Sequence, residues 1–184
     1  MSISAQNDSN SNKPKSYLAL ELDPAPFILG GYSFSIKYNP SKLKNWTFMG
    51  SVYSSDFPDK MMSDKNLANG FRNLKLNASF AVFADYFFKS NKTGFHAGPS
   101  LFYYSKSVGS ISSNQQSNFK SIYPNVRIGY MYKPFKKAGF YINPWLNLGK
   151  EIIIDGENAI EGKEFEITSI SYIIALHIGY QISF

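Results

Sequence analysis

Residues 170–184 alternate without interruption. Ile170, Tyr172, Ile174, Leu176, Ile178, Tyr180, Ile182 and Phe184 share one face, and Ser171, Ile173, Ala175, His177, Gly179, Gln181 and Ser183 share the other. Successive side chains of a strand point to opposite faces, so this period of two marks a sheet with one face against an apolar medium. Strands in soluble sandwiches are usually about 5–6 residues long. A uniformly apolar face carried over this length fits a tilted strand that crosses a bilayer. Residues 74–88 repeat the pattern, with Leu74, Leu76, Ala78, Phe80, Val82, Ala84, Tyr86 and Phe88 on the greasy face and Lys75, Asn77, Ser79, Ala81, Phe83, Asp85 and Phe87 opposite.

No segment sustains the i, i+3, i+4 spacing of an amphipathic helix, and polar residues interrupt every apolar run long before the roughly 18 residues a membrane helix needs. The 184 residues, 43% hydrophobic and 17% aromatic, suffice for one domain with one large apolar surface. Alternation places strands near 16–23, 30–38, 45–54, 74–89, 93–107, 119–133, 138–151 and 169–184. That even set gives the expected fold class: all-β, an eight-stranded antiparallel up-and-down transmembrane β-barrel over residues 16–184, after a flexible Ser- and Asn-rich tail at 1–15. The connections at 39–44, 90–92 and 134–137 are short, and those at 55–73, 108–118 and 152–168 are long, with a Pro-rich turn at 24–29. Short turns belong on the periplasmic rim of an outer-membrane barrel and long loops outside. Pro99, Pro124 and Pro144 fall inside strands on the outward parity, where bulges are expected because proline cannot donate to a ladder. Ile3-Ser4-Ala5 before Gln6 reads either as the end of a cleaved signal or as ordinary disordered chain.

Charge, which played no part in this parse, sorts by rim. Lys13, Lys15, Lys42, Lys44, Lys89, Lys92, Lys133, Lys136 and Lys137 fall on the tail and short turns against Asp8 alone. Asp56, Asp59, Asp64, Asp155, Glu157, Glu161, Glu164 and Glu166 crowd the long loops against Lys60, Lys65, Arg72 and Lys163. The basic rim suits lipid phosphates, or equally plain solubility. Near it cluster Tyr38, Trp46, Tyr86, Phe88, Phe95, Tyr130, Tyr132, Phe140, Tyr180 and Phe184, as in an interfacial aromatic belt. A nucleic-acid partner is not expected, because no basic face carries an RNA-binding motif or reading helix.

The terminal stretch His177-Ile178-Gly179-Tyr180-Gln181-Ile182-Ser183-Phe184 resembles the assembly signal of outer-membrane β-barrels, with His177, Gly179, Ile182 and Phe184 at its four places. That resemblance implies recognition by the barrel-assembly machinery, which pairs such a strand by β-augmentation. Across residues 16–184 the chain resembles small eight-stranded barrels of the OmpX, OmpW and OmpA-transmembrane types. It is also similar to uncharacterised Bacteroidetes barrels through Glu21-Leu22-Asp23-Pro24, Gly31-Tyr32-Ser33-Phe34 and Tyr141-Ile142-Asn143-Pro144-Trp145. The resemblance implies an integral outer-membrane location with both termini periplasmic, and brings no activity.

The inward parity gathers Glu21, Asp23, Lys37, Lys75, Asp85, His96, Lys106, Arg127, Glu151 and His177, with Asn77, Asn125, Asn143, Asn147, Tyr123 and Gln181. Eight strands enclose a lumen just wide enough for side chains to fill, so these groups are expected to pair with one another. Glu21, Asp85, His96, Arg127 and His177 form the expected lumen network, Asp85 with His96 and Arg127, and Glu21 with His177 across the closure. A lipid A deacylase would need a Ser–His–acid arrangement near the outer leaflet. Here His96 has Ser100 four residues away and lies near the short-turn rim. No catalytic residue, cofactor or metal site is assigned: there are two His and no Cys, and the acidic loop at 152–168 lacks a calcium-loop pattern. The expected role is a non-enzymatic structural or interaction barrel, either an accessory subunit of a larger complex or a stand-alone surface protein, touching outer-membrane lipid and lipopolysaccharide. A narrow solute channel comes second and a lipid A-modifying enzyme third.

Overall fold

The computed structural model describes residues 16–135, 138–168 and 170–183. Alternation becomes a closed antiparallel barrel. Its staves are β1 (Tyr17–Leu22), β2 (Tyr32–Asn39), β3 (Trp46–Asp56), β4 (Phe71–Phe87), β5 (Gly94–Ser110), β6 (Gln116–Met131), β7 (Phe140–Gly149) with its continuation β8 (Ile152–Gly156), and β11 (Ser171–Ser183). Each pairs with its neighbour in sequence, and β11 returns to β1 to close the ring. β7 and β8 form one stave because both pair with β6, β7 from Asn125↔Gly149 and β8 from Ile122↔Ile152.

The prolines do not make bulges. The β4–β5 ladder opens around Pro99, between Phe83↔Ser100 and Tyr86↔Ala97, and resumes in the same register. The β6 ladder opens likewise around Pro124, between Asn125↔Gly149 and Ile122↔Ile152, and around Pro144, between Gly129↔Trp145 and Tyr132↔Ile142. Proline removes a donor without adding a residue, so it costs ladder bonds and leaves the count of facing residues unchanged. The register shifts fall elsewhere, on the extensions of the strands toward the long loops. One lies in β4 between Leu76 and Ala78, and it flips the parity. Leu76 therefore turns inward, while Lys75 and Asn77 are exposed, reversing their expected faces. Lys75 pairs outside with Asp56 at 3.2 Å.

Two connections are more ordered than loops. The turn after β1 is a short helix, α1 (Pro24–Ile28), whose N-cap Asp23 accepts from the Ala25 N–H at 3.0 Å. Prolines suit a first helical turn, where the missing N–H has no partner to lose. The long loops carry α2 (Asp64–Ala68) and a small hairpin, β9 (Ala159–Ile160) with β10 (Lys163–Glu164). They fold over a second core of Met62, Phe71, Val108, Phe119, Ile160 and Phe165. Phe165 meets Phe71 edge-on at 5.5 Å, and Asn66 exchanges hydrogen bonds with the Glu166 backbone at 2.9 and 2.7 Å. Residues 152–168, expected as a long acidic loop, thus form part of a packed cap. Several of its acids are paired, Asp155 with Lys120 at 2.6 Å and Glu166 with Lys65 at 3.0 Å.

Candidate functional site

Period-two alternation points every second side chain into a narrow lumen, where buried charges must find partners. Two ion clusters result. In the first, Arg127 on β6 reaches across β5 to Asp85 on β4, its Nε donating to Oδ1 at 3.1 Å and its Nη2 to Oδ2. His96 on the intervening strand sets Nδ1 3.5 Å from the same carboxylate and Nε2 2.9 Å from Asn143 Oδ1. The guanidinium also lies 4.3 Å from the Phe83 ring centre and 5.4 Å from that of Trp145, a cation–π contact with each of two rings that themselves meet edge-on.

In the second cluster Glu21 on β1 is the hub. It takes His177 Nδ1 at 2.6 Å, the Tyr141 hydroxyl at 2.5 Å and the Lys37 ammonium. His177 Nε2 faces the Tyr53 hydroxyl at 3.4 Å. The structure therefore brings Asp85 together with His96 and Arg127, and Glu21 with His177. Lys37 was visible in the sequence as an inward residue but not as a partner of Glu21. Tyr141, Tyr53 and Asn143 were not legible as partners, because they come from strands that meet only through curvature and register. Among the described residues no group of three or more His, Cys, Asp or Glu could hold a metal ion.

Two glycines make room for the network rings. Gly179 pairs with Tyr141, and a Cβ on it would lie 2.3 Å from the ring. Gly129 pairs with His96, and a Cβ there would lie 2.4 Å from Nε2. Gly179, read in the sequence as part of an assembly signal, thus also seats the tyrosine that holds Glu21. Ile182 of that signal is exposed on the outer face, His177 is buried in the lumen, and Phe184 lies outside the described residues. We predict that G179A lowers the urea midpoint of the folded barrel and that Y141A, by vacating the ring's place, makes the same glycine substitution nearly neutral. Equal losses in both backgrounds would separate Gly179 from Tyr141.

No protein-family model matches the chain, and no curated protein matches it in sequence. Among solved structures it is similar to the N-terminal β-barrel domain of Pseudomonas aeruginosa OprF, with a TM-score of 0.51 and 13% identity over 92% of this chain and 98% of that one. Neisserial surface protein A aligns over 92% of this chain and 97% of its own at 16% identity, with a TM-score of 0.49. The likeness to the OprF domain is one of fold: a closed eight-stranded antiparallel barrel.

The short-turn rim differs from a simple basic ring. Lys42, Lys44 and Lys89 are exposed, but Lys92 is buried and folds back over the barrel end. Its Nζ donates to the Pro40 carbonyl at 3.2 Å and sits 5.9 Å from the Tyr17 ring centre. Burial pushes the Lys92 ammonium down to about 8. Lys133 approaches the same ring at 5.8 Å and donates to Gln181 Oε1 at 2.9 Å. Both lysines thus gather around Tyr17 at the short-turn end of the barrel. Lys13, Lys15, Lys136, Lys137 and Asp8 lie outside the described residues.

Proposed function

We propose that the chain is an integral outer-membrane barrel with a non-enzymatic structural or interaction role, its short-turn rim in the periplasm and its cap outside. The observation that carries the membrane reading is the girdle. Leu20, Ile36, Phe48, Val82, Leu101, Ile128, Leu146 and Ile174, one from each stave, are all exposed on the outer face. An apolar belt that encircles the molecule is far larger than the few hundred Å² soluble monomers leave in water, and hydrocarbon is the solvent that suits it. Toward the short turns the belt ends in aromatic pairs, Trp46 with Tyr86 at 5.3 Å and Phe95 with Tyr130 at 4.9 Å, the chemistry of a headgroup interface. Lysines on that rim would meet lipid phosphates, and His177, Gly179 and Ile182 would be read during assembly.

Two features support a role without turnover or conduction. Both ring nitrogens of each histidine face lumen partners, Glu21 and Tyr53 for His177, Asp85 and Asn143 for His96, and neither ring faces a serine in these contacts. Both ion clusters are buried inside the barrel, with Arg127, Asp85, Glu21, Lys37 and His177 essentially inaccessible to solvent. Planar-bilayer recordings of the purified protein are expected to show no discrete conductance steps; steps altered by substitution at Arg127 would replace this reading with a channel. The cap, held by its own aromatic core and ion pairs, offers a shaped surface to a protein partner or to lipopolysaccharide sugars. A mild-detergent pull-down from native membranes tests the accessory-subunit form: a stoichiometric partner is expected, and its absence leaves the stand-alone form.

A further inference from the structure

We infer that one hydrocarbon chain of an outer-leaflet lipid enters this barrel sideways, between α1 and the unpaired edge of β11, and lies in the aromatic cavity beside the Glu21–His177 pair. The inference rests on the membrane-spanning reading.

The opening follows from a short strand. β1 pairs with β11 only from Tyr17↔Ser183 to Leu22↔Ile178, whereas β11 continues to Ser171 and, among the described residues, pairs there with β7 alone. Asp23-Pro24-Ala25-Pro26 ends β1, because two prolines cannot extend a ladder and Asp23 is committed to capping α1. Helix α1 stands where a strand would otherwise run. It is tied toward the other flank of the notch, the Gly31 N–H donating to the Pro26 carbonyl at 2.8 Å and the Asp56 N–H to the Leu29 carbonyl at 2.9 Å. The upper edge of β11 therefore faces a five-residue helix in place of a hydrogen-bonding neighbour.

Behind this notch lies a cavity of about 490 Å³, within the roughly 300–1,000 Å³ typical of ligand sites. Its inner wall includes Tyr53, Phe102 and Trp145, and its outer wall Pro26, Tyr172 and Ile174. Tyr172 and Ile174 point away from the lumen and are 70% and 73% exposed. A cavity lined both by lumen residues and by outward ones passes through the wall. Its mouth opens within the apolar belt, since Tyr172 pairs with Leu148 and Leu148 with Val126, both exposed apolar positions of that belt. The Glu21 and Asp85 clusters occupy the lumen toward the short turns. At its cap end the lining includes the Lys106–Glu151 pair, at 2.6 Å, and the second hydrophobic core lies toward the cap. The apolar and aromatic side chains that make up most of the lining suit a hydrocarbon chain, and the side wall is its route.

The chain has two tryptophans, which makes a direct test available. Trp145 lines the cavity, and Trp46 sits in the outer belt as an internal control. The full chain is reconstituted in phosphatidylcholine vesicles carrying bromine on the acyl chains, and tryptophan emission is compared with unbrominated vesicles. In W46F, Trp145 emission is expected to be quenched, and A25F and A175F, which fill the mouth and the cavity, are expected each to restore it. Heat-modifiable gel migration checks that each variant is folded, and either filling variant suffices. Trp145 left unquenched, quenched equally in a folded filling variant, or quenched only by a brominated soluble amphiphile added from the aqueous side would each overturn lateral entry. Trp46 in W145F is expected to be quenched whatever happens at Trp145; an unquenched Trp46 would overturn the membrane reading itself.

Discussion

An R127L barrel is expected to unfold with about 3–5 kcal/mol less stability than the native chain, the usual cost of removing one partner from a buried ion pair. Arg127 and Asp85 are both essentially inaccessible to solvent, and the fork of Arg127 covers both carboxylate oxygens. Without it Asp85 keeps, among the described residues, His96 as its ion-pair partner, at 3.5 Å. R127K should recover little, because an ammonium cannot span both oxygens or lay a planar group over the Phe83 ring. D85L/R127L should recover most of the loss, since an apolar pair needs no compensation. Urea titration followed by gel migration of unboiled samples reads all three. An R127L midpoint equal to the native one would remove the pair from the account of why the lumen is closed.

The faces were legible because a period of two needs no partner to be read. Every member of the expected network, Glu21, Asp85, His96, Arg127 and His177, lies on the buried side of its strand. What alternation cannot show is where it is reset. The shift between Leu76 and Ala78 depends on how β4 is paired with β5, and it moved Lys75 to solvent and Leu76 to the interior. The prolines were misread for a related reason: a bulge adds a residue to one strand, and that depends on the partner strand as much as on the proline. The cap was hidden because Met62, Phe71, Ile160 and Phe165 are spread over distant segments with no shared period. Their one local signal was their presence as large apolar residues within polar, acidic stretches. The lateral notch had a sequence trace, the shortness of β1 before Pro24 and Pro26, although its meaning needed the length of β11.

That shortness also decides what loss of Glu21 would do. β1 is six residues long, so the seam with β11 has few ladder bonds and depends on the side chain that ties both edges. Glu21 is that tie, holding His177 of β11, Lys37 of β2 and Tyr141 of β7 on one carboxylate. E21L strands a buried ammonium and two donors, and a loss of about 3–5 kcal/mol is expected by the same reasoning as for Arg127. Its distribution should differ. Arg127 ties β4 and β6 in the long-strand half of the barrel, where loss weakens the whole fold, whereas Glu21 guards the seam. In E21L, hydrogen exchange should accelerate first in β1 and β11 while β4, β5 and β6 stay protected, because local opening draws on the least supported element. E21Q/K37M, which removes the charge from both sides and keeps hydrogen-bonding capacity toward His177 and Tyr141, should slow that exchange again. Uniform acceleration across all strands in E21L would mean that the seam opens only with global unfolding, and that the short first strand is no weaker than the rest.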